Sequence, residues 1–225
     1  MALSKIQAES MNLADTYAFS GTVSGTNDTN HLVKLFSSIS SSAVDKVETD
    51  TVTSSYSNYL LIGNVVATDG QNSSVDIYLR SNDGSSNYSV SSGSNGFAVY
   101  QGEWFNRAGS AAPSGNVQNG ANHYLRIPNS QDIYGGSIMS FQVHFNVLHD
   151  GLLTGTTNIS ARTVRNGWYK WAMQSTSSSD YYGSQGWFRF DNPNSNLSNG
   201  VVGIKVNSGV SNFVKHNVAL YGYVE

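Results

Sequence analysis

An all-β, antiparallel sandwich is the fold this sequence predicts, and three observations carry the prediction. From Leu32 onward, apolar residues recur with the two-residue period of a half-buried strand. Dipeptides that supply the positive φ of tight hairpins punctuate the chain at Asp69-Gly70, Asp83-Gly84, Asn95-Gly96, Asp150-Gly151, Asn166-Gly167 and Asn199-Gly200. After residue 40 no run with helical periodicity exceeds ten residues, so strands do not alternate with helices and a parallel α/β architecture is excluded.

Residues 1–31 precede this region and read as an arm. Ser4-Lys5-Ile6-Gln7 has the form of a capping box that opens a short helix to about Ala14. Ile6 and Leu13 supply only a thin apolar stripe, so such a helix is marginal alone. Phe19 to Thr26 follows, with Ser-Gly-Thr on either side of Val23, an extended and glycine-hinged composition. The arm is expected to order only by docking, with Ile6, Leu13, Phe19 and Val23 as its candidate contacts.

Residues 32–225 form the expected sandwich domain. Its best-patterned strand is 139–147, with Met139, Phe141, Val143, Phe145 and Val147 on one face and Ser140, Gln142, His144 and Asn146 on the other. Val75, Ile77 and Leu79 alternate with Asp76, Tyr78 and Arg80 in the same way. Tyr59 to Thr68 is apolar on both faces, which predicts a central strand covered on both sides. Further strands are predicted at 97–104, 156–165, 168–174, 186–190, 202–207 and 216–224, and a large loop over 106–122, which is rich in Gly, Ala, Ser and Asn.

Composition narrows the function. Thirteen Tyr, nine Phe and four Trp in 225 residues are enough for a real core, yet charged residues are only 12%, about half the usual share. With a net charge of −3 there is no basic footprint for nucleic acid and no polybasic segment for an anionic membrane. No run approaches the ~18 apolar residues of a membrane span, and the N-terminus lacks the apolar stretch of a signal peptide. Cysteine is absent, which suits cytosolic assembly followed by life outside the cell.

Catalytic patterns are missing. A glycosidase needs two carboxylates flanking a cleft, and nothing in the spacing of Asp76, Asp132, Asp180 and Asp191 pairs them. His144 and His149 are five apart and would point to opposite faces of a strand; His31, His123 and His216 are isolated. No phosphate-binding or nucleophile-elbow motif occurs. No catalytic residue, metal ligand or cofactor is expected.

One cluster stands out. Trp168, Tyr169, Trp171, Tyr181, Tyr182 and Trp187 fall within twenty residues, interleaved with Asn166, Gln174, Asp180 and Gln185. Flat aromatic faces beside neutral amides suit sugar rings, so these six are glycan-binding candidates. Tyr169, Trp171 and Met173 share one strand face, and core packing or a subunit contact accounts for the cluster more readily than glycan contact does.

Two stretches resemble phage tail-fibre and virion-surface β modules. One is Ser55-Tyr56-Ser57-Asn58-Tyr59-Leu60-Leu61-Ile62-Gly63-Asn64-Val65, followed by Ile77 to Gly84. The other is the ending, Ile204 to Gly209, then Val218-Ala219-Leu220-Tyr221-Gly222-Tyr223. The opening, Leu3 to Val23, is similar to the start of cyanophage structural proteins. The resemblance covers roughly 1–25, 44–104 and 200–225, and 105–199 lies outside it; Asn212 to His216 is bulkier than the small-residue run such modules carry before their last strand. What the resemblance implies is a jelly-roll-like sandwich without catalysis, assembled in the host cytoplasm into the virion. Family analogy also points to a homotrimer; with the arm at 1–31 docking on other virion proteins and the aromatic cluster contacting host-surface glycan, the expected role is a tail or neck fibre. Capsid decoration and a lectin unconnected with virions are the competing expectations. No functional residue is carried over from the resemblance.

Overall fold

The computed structural model describes residues 32–53, 55–68, 73–81, 98–107, 114–122, 124–128, 133, 135–147, 165–174, 181–191, 201–209 and 212–223. Within these, only the backbone is described at 80, 81, 98–100, 103–107, 114–122, 165, 166, 181, 190, 191, 201 and 202. The arm at 1–31, with Ile6, Leu13, Phe19 and Val23, lies outside them, as do His31, His123, His149 and the expected turns other than Asn166-Gly167.

Among the described residues all the regular elements are strands: β1 (Leu32–Ser40), β2 (Lys46–Thr49), β3 (Asn58–Ala67), β4 (Val75–Ser81), β5 (Ala98–Arg107), β6 (Ser114–Asn122), β7 (Leu125–Ile127), β8 (Ile138–Asn146), β9 (Arg165–Gln174), β10 (Tyr181–Asp191), β11 (Val201–Ser208) and β12 (Phe213–Tyr223). They make two antiparallel sheets, a large one in the order β1-β12-β3-β8-β9-β10-β5-β6 and a small one in the order β2-β11-β4-β7. The first four strands alternate between the sheets. Strands β9, β10, β5 and β6 extend the large sheet past β8, beyond the four strands that match the small sheet in number.

The period-two pattern explains the sandwich. Tyr59, Leu61, Val65 and Ala67 of β3, Met139, Phe141, Val143 and Phe145 of β8 and Tyr169, Trp171 and Met173 of β9 are buried on one face of the large sheet. They join Val47, Val75, Ile77, Leu79, Leu125, Ile127, Ile204 and Val206 of the small sheet in a single core. Each large apolar side chain so buried contributes about 1.5–3 kcal/mol. In register, Met139 faces Met173, Phe141 faces Trp171 and Val143 faces Tyr169, so a one-residue slip would expose the whole set.

The two sequence stretches quoted above meet in space. Gly222 pairs with Tyr59, and the ring of Tyr56 occupies the place where a Gly222 side chain would stand. Tyr56 meets Tyr59 edge-on, Tyr59 stacks on Phe145 at 5.2 Å, and the Tyr59 hydroxyl donates a 2.6 Å hydrogen bond to the carbonyl of Thr53. Strand β11 pairs with β4, setting Ile204 opposite Leu79 and Val206 opposite Ile77.

Three expectations are corrected. Residues 114–122 are not loop but the edge strand β6, because their backbone pairs with β5 despite a composition poor in strand formers. Asn166-Gly167 is no turn. It lies inside β9, where Gly167 makes room for the Phe188 ring and the His144 carbonyl. β3 is central, but its outward Leu60, Ile62 and Val66 are only half-buried and Asn64 is exposed, so its second face is not covered among the described residues.

A buried amide ties the sheets together. Gln101 on β5 is 1% exposed; its Nε2 donates to the Arg126 carbonyl at 2.8 Å and its Oε1 accepts from the Arg126 N–H at 3.1 Å. The side chain thus acts as a surrogate peptide group for β7, the edge of the small sheet.

Candidate functional site

Strand alternation divides the aromatic cluster. Tyr169, Trp171 and Tyr182 point into the sandwich at 0%, 4% and 6% exposure, where core packing accounts for them. Trp168 and Trp187 point outward and are 45% and 49% exposed. They face each other across the β9–β10 pairing. Tyr181 opens β10, with only its backbone described.

Each indole is seated on the strand beyond. Trp168 stacks on His144 of β8, with centroids 3.9 Å apart and planes 14° from parallel. The Tyr223 hydroxyl lies 3.2 Å from Nδ1 of the same imidazole. Trp187 lies over Gly102 of β5, where a Cβ would come within 2.7 Å of its ring nitrogen. The register therefore lays a row across the outer face that reads Tyr221, Leu60, His144, Trp168, Trp187 and Gly102. Burial, and then the charge of Lys170, hold the His144 imidazole below its ordinary value, so near neutral pH this row is uncharged.

Beside the row the sheet is hollowed. A trough of about 740 Å³ is lined by residues of β12, β3, β8, β9 and β10, among them Asn217, Asn64, Ser140, Gln142, Lys170 and Gln185. Small residues make the hollow, since Ser140 pairs with Ala172 and Ala172 with Gly183. The Ser140 hydroxyl donates to Asn64 Oδ1 at 2.6 Å, fixing one amide on the floor. The arrangement offers neutral donors and acceptors beside half-exposed indoles, which matches the hydroxyl rims and C–H faces of sugars.

In the sequence Trp168 and Trp187 stand out only as members of the six-residue aromatic cluster, and strand alternation is what separates them from Tyr169, Trp171 and Tyr182. The trough residues carry no such signal, since Asn64, Ser140, Ala172, Gly183 and Asn217 meet only through strand register. No protein-family model, curated protein or solved structure matches the chain.

The small sheet's outer side is different in kind. Asp76, 2% exposed, receives two hydrogen bonds from the Arg126 guanidinium, at 3.0 and 3.1 Å, and one from Ser74 Oγ at 2.9 Å. Arg126 also sits 5.1 Å from the centre of the Tyr124 ring, and Lys205 lies 4.2 Å over Tyr78. Burial pushes the Asp76 carboxyl up, against the downward pull of Arg126. The buried acid is engaged by its own neighbours, a structural ion pair in form.

Proposed function

We infer that this chain is a non-catalytic recognition module of a tailed-phage virion, a tail or neck fibre subunit that contacts host-surface glycan through the outer face of the large sheet. The observation that carries the reading is the pair Trp168 and Trp187, half-exposed side by side in the row next to an amide-lined trough. Apolar indoles held in solvent on a rigid sheet cost solubility and return nothing to the core, so a ligand-binding role accounts for them best.

The strand order supports a jelly-roll reading. Strands β1-β12-β3-β8 oppose β2-β11-β4-β7, the order expected when two Greek keys share one sandwich, an architecture common to capsid and lectin domains. The virion assignment rests on the resemblance of residues 44–104 and 200–225 to tail-fibre modules, with residues 1–31 attaching the subunit and the β domain trimerising. A decoration protein would use the same arm, and a free lectin would use the same face.

The test is a glycan array with the full chain and its Trp168→Ala/Trp187→Ala variant, run beside mass photometry with and without residues 1–31. The expected result is glycan binding lost in the double variant and a trimer that survives deletion of the arm. Absence of binding to host-surface glycan would sink the recognition role. A monomer in both forms would remove the fibre and favour decoration or a lectin.

A further inference from the structure

The outer face of the large sheet differs from the rest of the described surface in charge. Register places Lys34 of β1, Lys215 of β12, Lys170 of β9 and Arg189 of β10 on it. The four carboxylates whose side chains are described, Asp45, Glu48, Asp50 and Asp76, all lie in or beside β2 and β4 of the small sheet. Among the residues whose side chains are described, this face therefore carries four cations and no carboxylate. Within it, Lys170 stands in the trough between Gln142 and Gln185.

Gly183 adds a second, independent observation. Glycine weakens a strand and is retained where something must come close. Gly102 meets that rule, since the Trp187 indole fills the place of its side chain. Gly183 does not: among the described residues a Cβ there would meet only the Trp171 carbonyl oxygen, at 3.4 Å, an ordinary contact. Packing against the described residues leaves Gly183 unexplained, and what its bare backbone provides is depth in the trough.

We propose that the trough binds a carboxylate-bearing, uronic-acid type of polysaccharide. The sugar rings lie on Trp168 and Trp187 beside the trough, a carboxylate is matched by Lys170 within it, and the chain passes over Gly183. From β12 to β10 the trough crosses five strands, about 19 Å at ~4.8 Å per strand, which admits a run of linked sugars rather than a single residue. The inference rests on the glycan reading and narrows it to acidic polymers.

The experiment measures binding of the full chain to alginate, polygalacturonate, hyaluronate and xanthan, each beside its carboxyl-reduced neutral form, with poly-glutamate as a control. The expected result is retention by at least one acidic polymer, about tenfold weaker binding to its reduced form, and weakening as salt rises. Lys170→Gln is expected to erase the difference between acidic and reduced forms. Gly183→Leu is expected to abolish binding while leaving the thermal midpoint unchanged or higher. Equal binding to acidic and reduced forms would overturn the acidic inference and keep the glycan reading. Binding to none of the polymers would remove both. Unchanged binding by Gly183→Leu would place the ligand elsewhere, and tighter binding to poly-glutamate would reassign the trough to an acidic peptide.

Discussion

The two outer sides of the sandwich handle polar groups in opposite ways. On the small sheet the charged residues satisfy one another: Asp76 holds Arg126 bidentately, Lys46 pairs with Glu48 at 3.1 Å, and Lys205 covers Tyr78. Burial, with Asp76 and Tyr124 alongside, pushes the Tyr78 phenol up to about 12, so it stays protonated as part of this closed network. On the large sheet Lys170 stands in the trough among neutral amides, and two indoles stand half in water. A face that closes on itself contributes to stability, whereas a face left open is available to a ligand.

The sharpest way to break this comparison is to truncate one cation on each side. Arg126→Met strips the guanidinium from a carboxylate that is almost wholly buried, and a loss of about 3–5 kcal/mol is expected in urea unfolding. Lys170→Met removes an exposed charge and should change stability by no more than ~0.5 kcal/mol. Equal losses from the two variants would mean that Lys170 is as structural as Arg126, and the functional reading of its face would fall.

Gln101 sharpens the same point from inside. Gln101→Leu leaves the N–H and carbonyl of Arg126 facing the core without their partner, and about 2 kcal/mol of stability should go with it. Hydrogen exchange at Leu125 and Ile127 is expected to rise in step, because this amide is what joins β7 to the large sheet. An unchanged exchange rate would show that β4 alone secures that edge.

Truncation of the outward indoles should cost less. Trp168→Ala and Trp187→Ala are each expected to lose about 1 kcal/mol, since roughly half of each residue is already in water. Trp171→Ala, three residues along β9 from Trp168 and facing the core, should lose about 3–5 kcal/mol. A large loss at Trp168 would assign it to packing against His144 and weaken the case for recognition.

What was legible in the sequence follows the same inside–outside division. Alternation from Met139 to Val147 fixed both the strand and its inward face, because a half-buried antiparallel strand leaves that imprint locally. The shared face of Tyr169, Trp171 and Met173 was visible for the same reason. β6 was not, since Ser114 to Asn122 has the composition of a loop and becomes a strand only through its partner β5. The trough was hidden for a stronger reason: Asn64, Ser140, Ala172 and Gly183 are ordinary residues, up to 119 positions apart, that only register assembles. Lys170 drew no notice because a single lysine in a strand has no pattern, and its meaning comes from the uncharged neighbours around it.

The smallest expected effect concerns the two described histidines. His216 is 5% exposed; its Nε2 lies 2.8 Å from Ser38 Oγ, and its Nδ1 is buried with no hydrogen-bond partner among the described residues. Burial holds this imidazole below its ordinary value, and His144 is shifted in the same direction. The unfolded chain therefore takes up protons near pH 6.5 that the folded chain refuses. Their contribution to stability is complete above that value and is lost as pH falls toward the depressed folded pKa, by at most ~1.4 kcal/mol per pH unit for each group. Urea midpoints at pH 7.5 and 5.5 should separate in the wild type and draw closer in His216→Gln, which removes the titration and retains a side chain able to bond Ser38. A wild-type midpoint that does not move between the two pH values would mean that protonated His216 finds a partner in the folded state, and that this inner polar site is less closed than its geometry indicates.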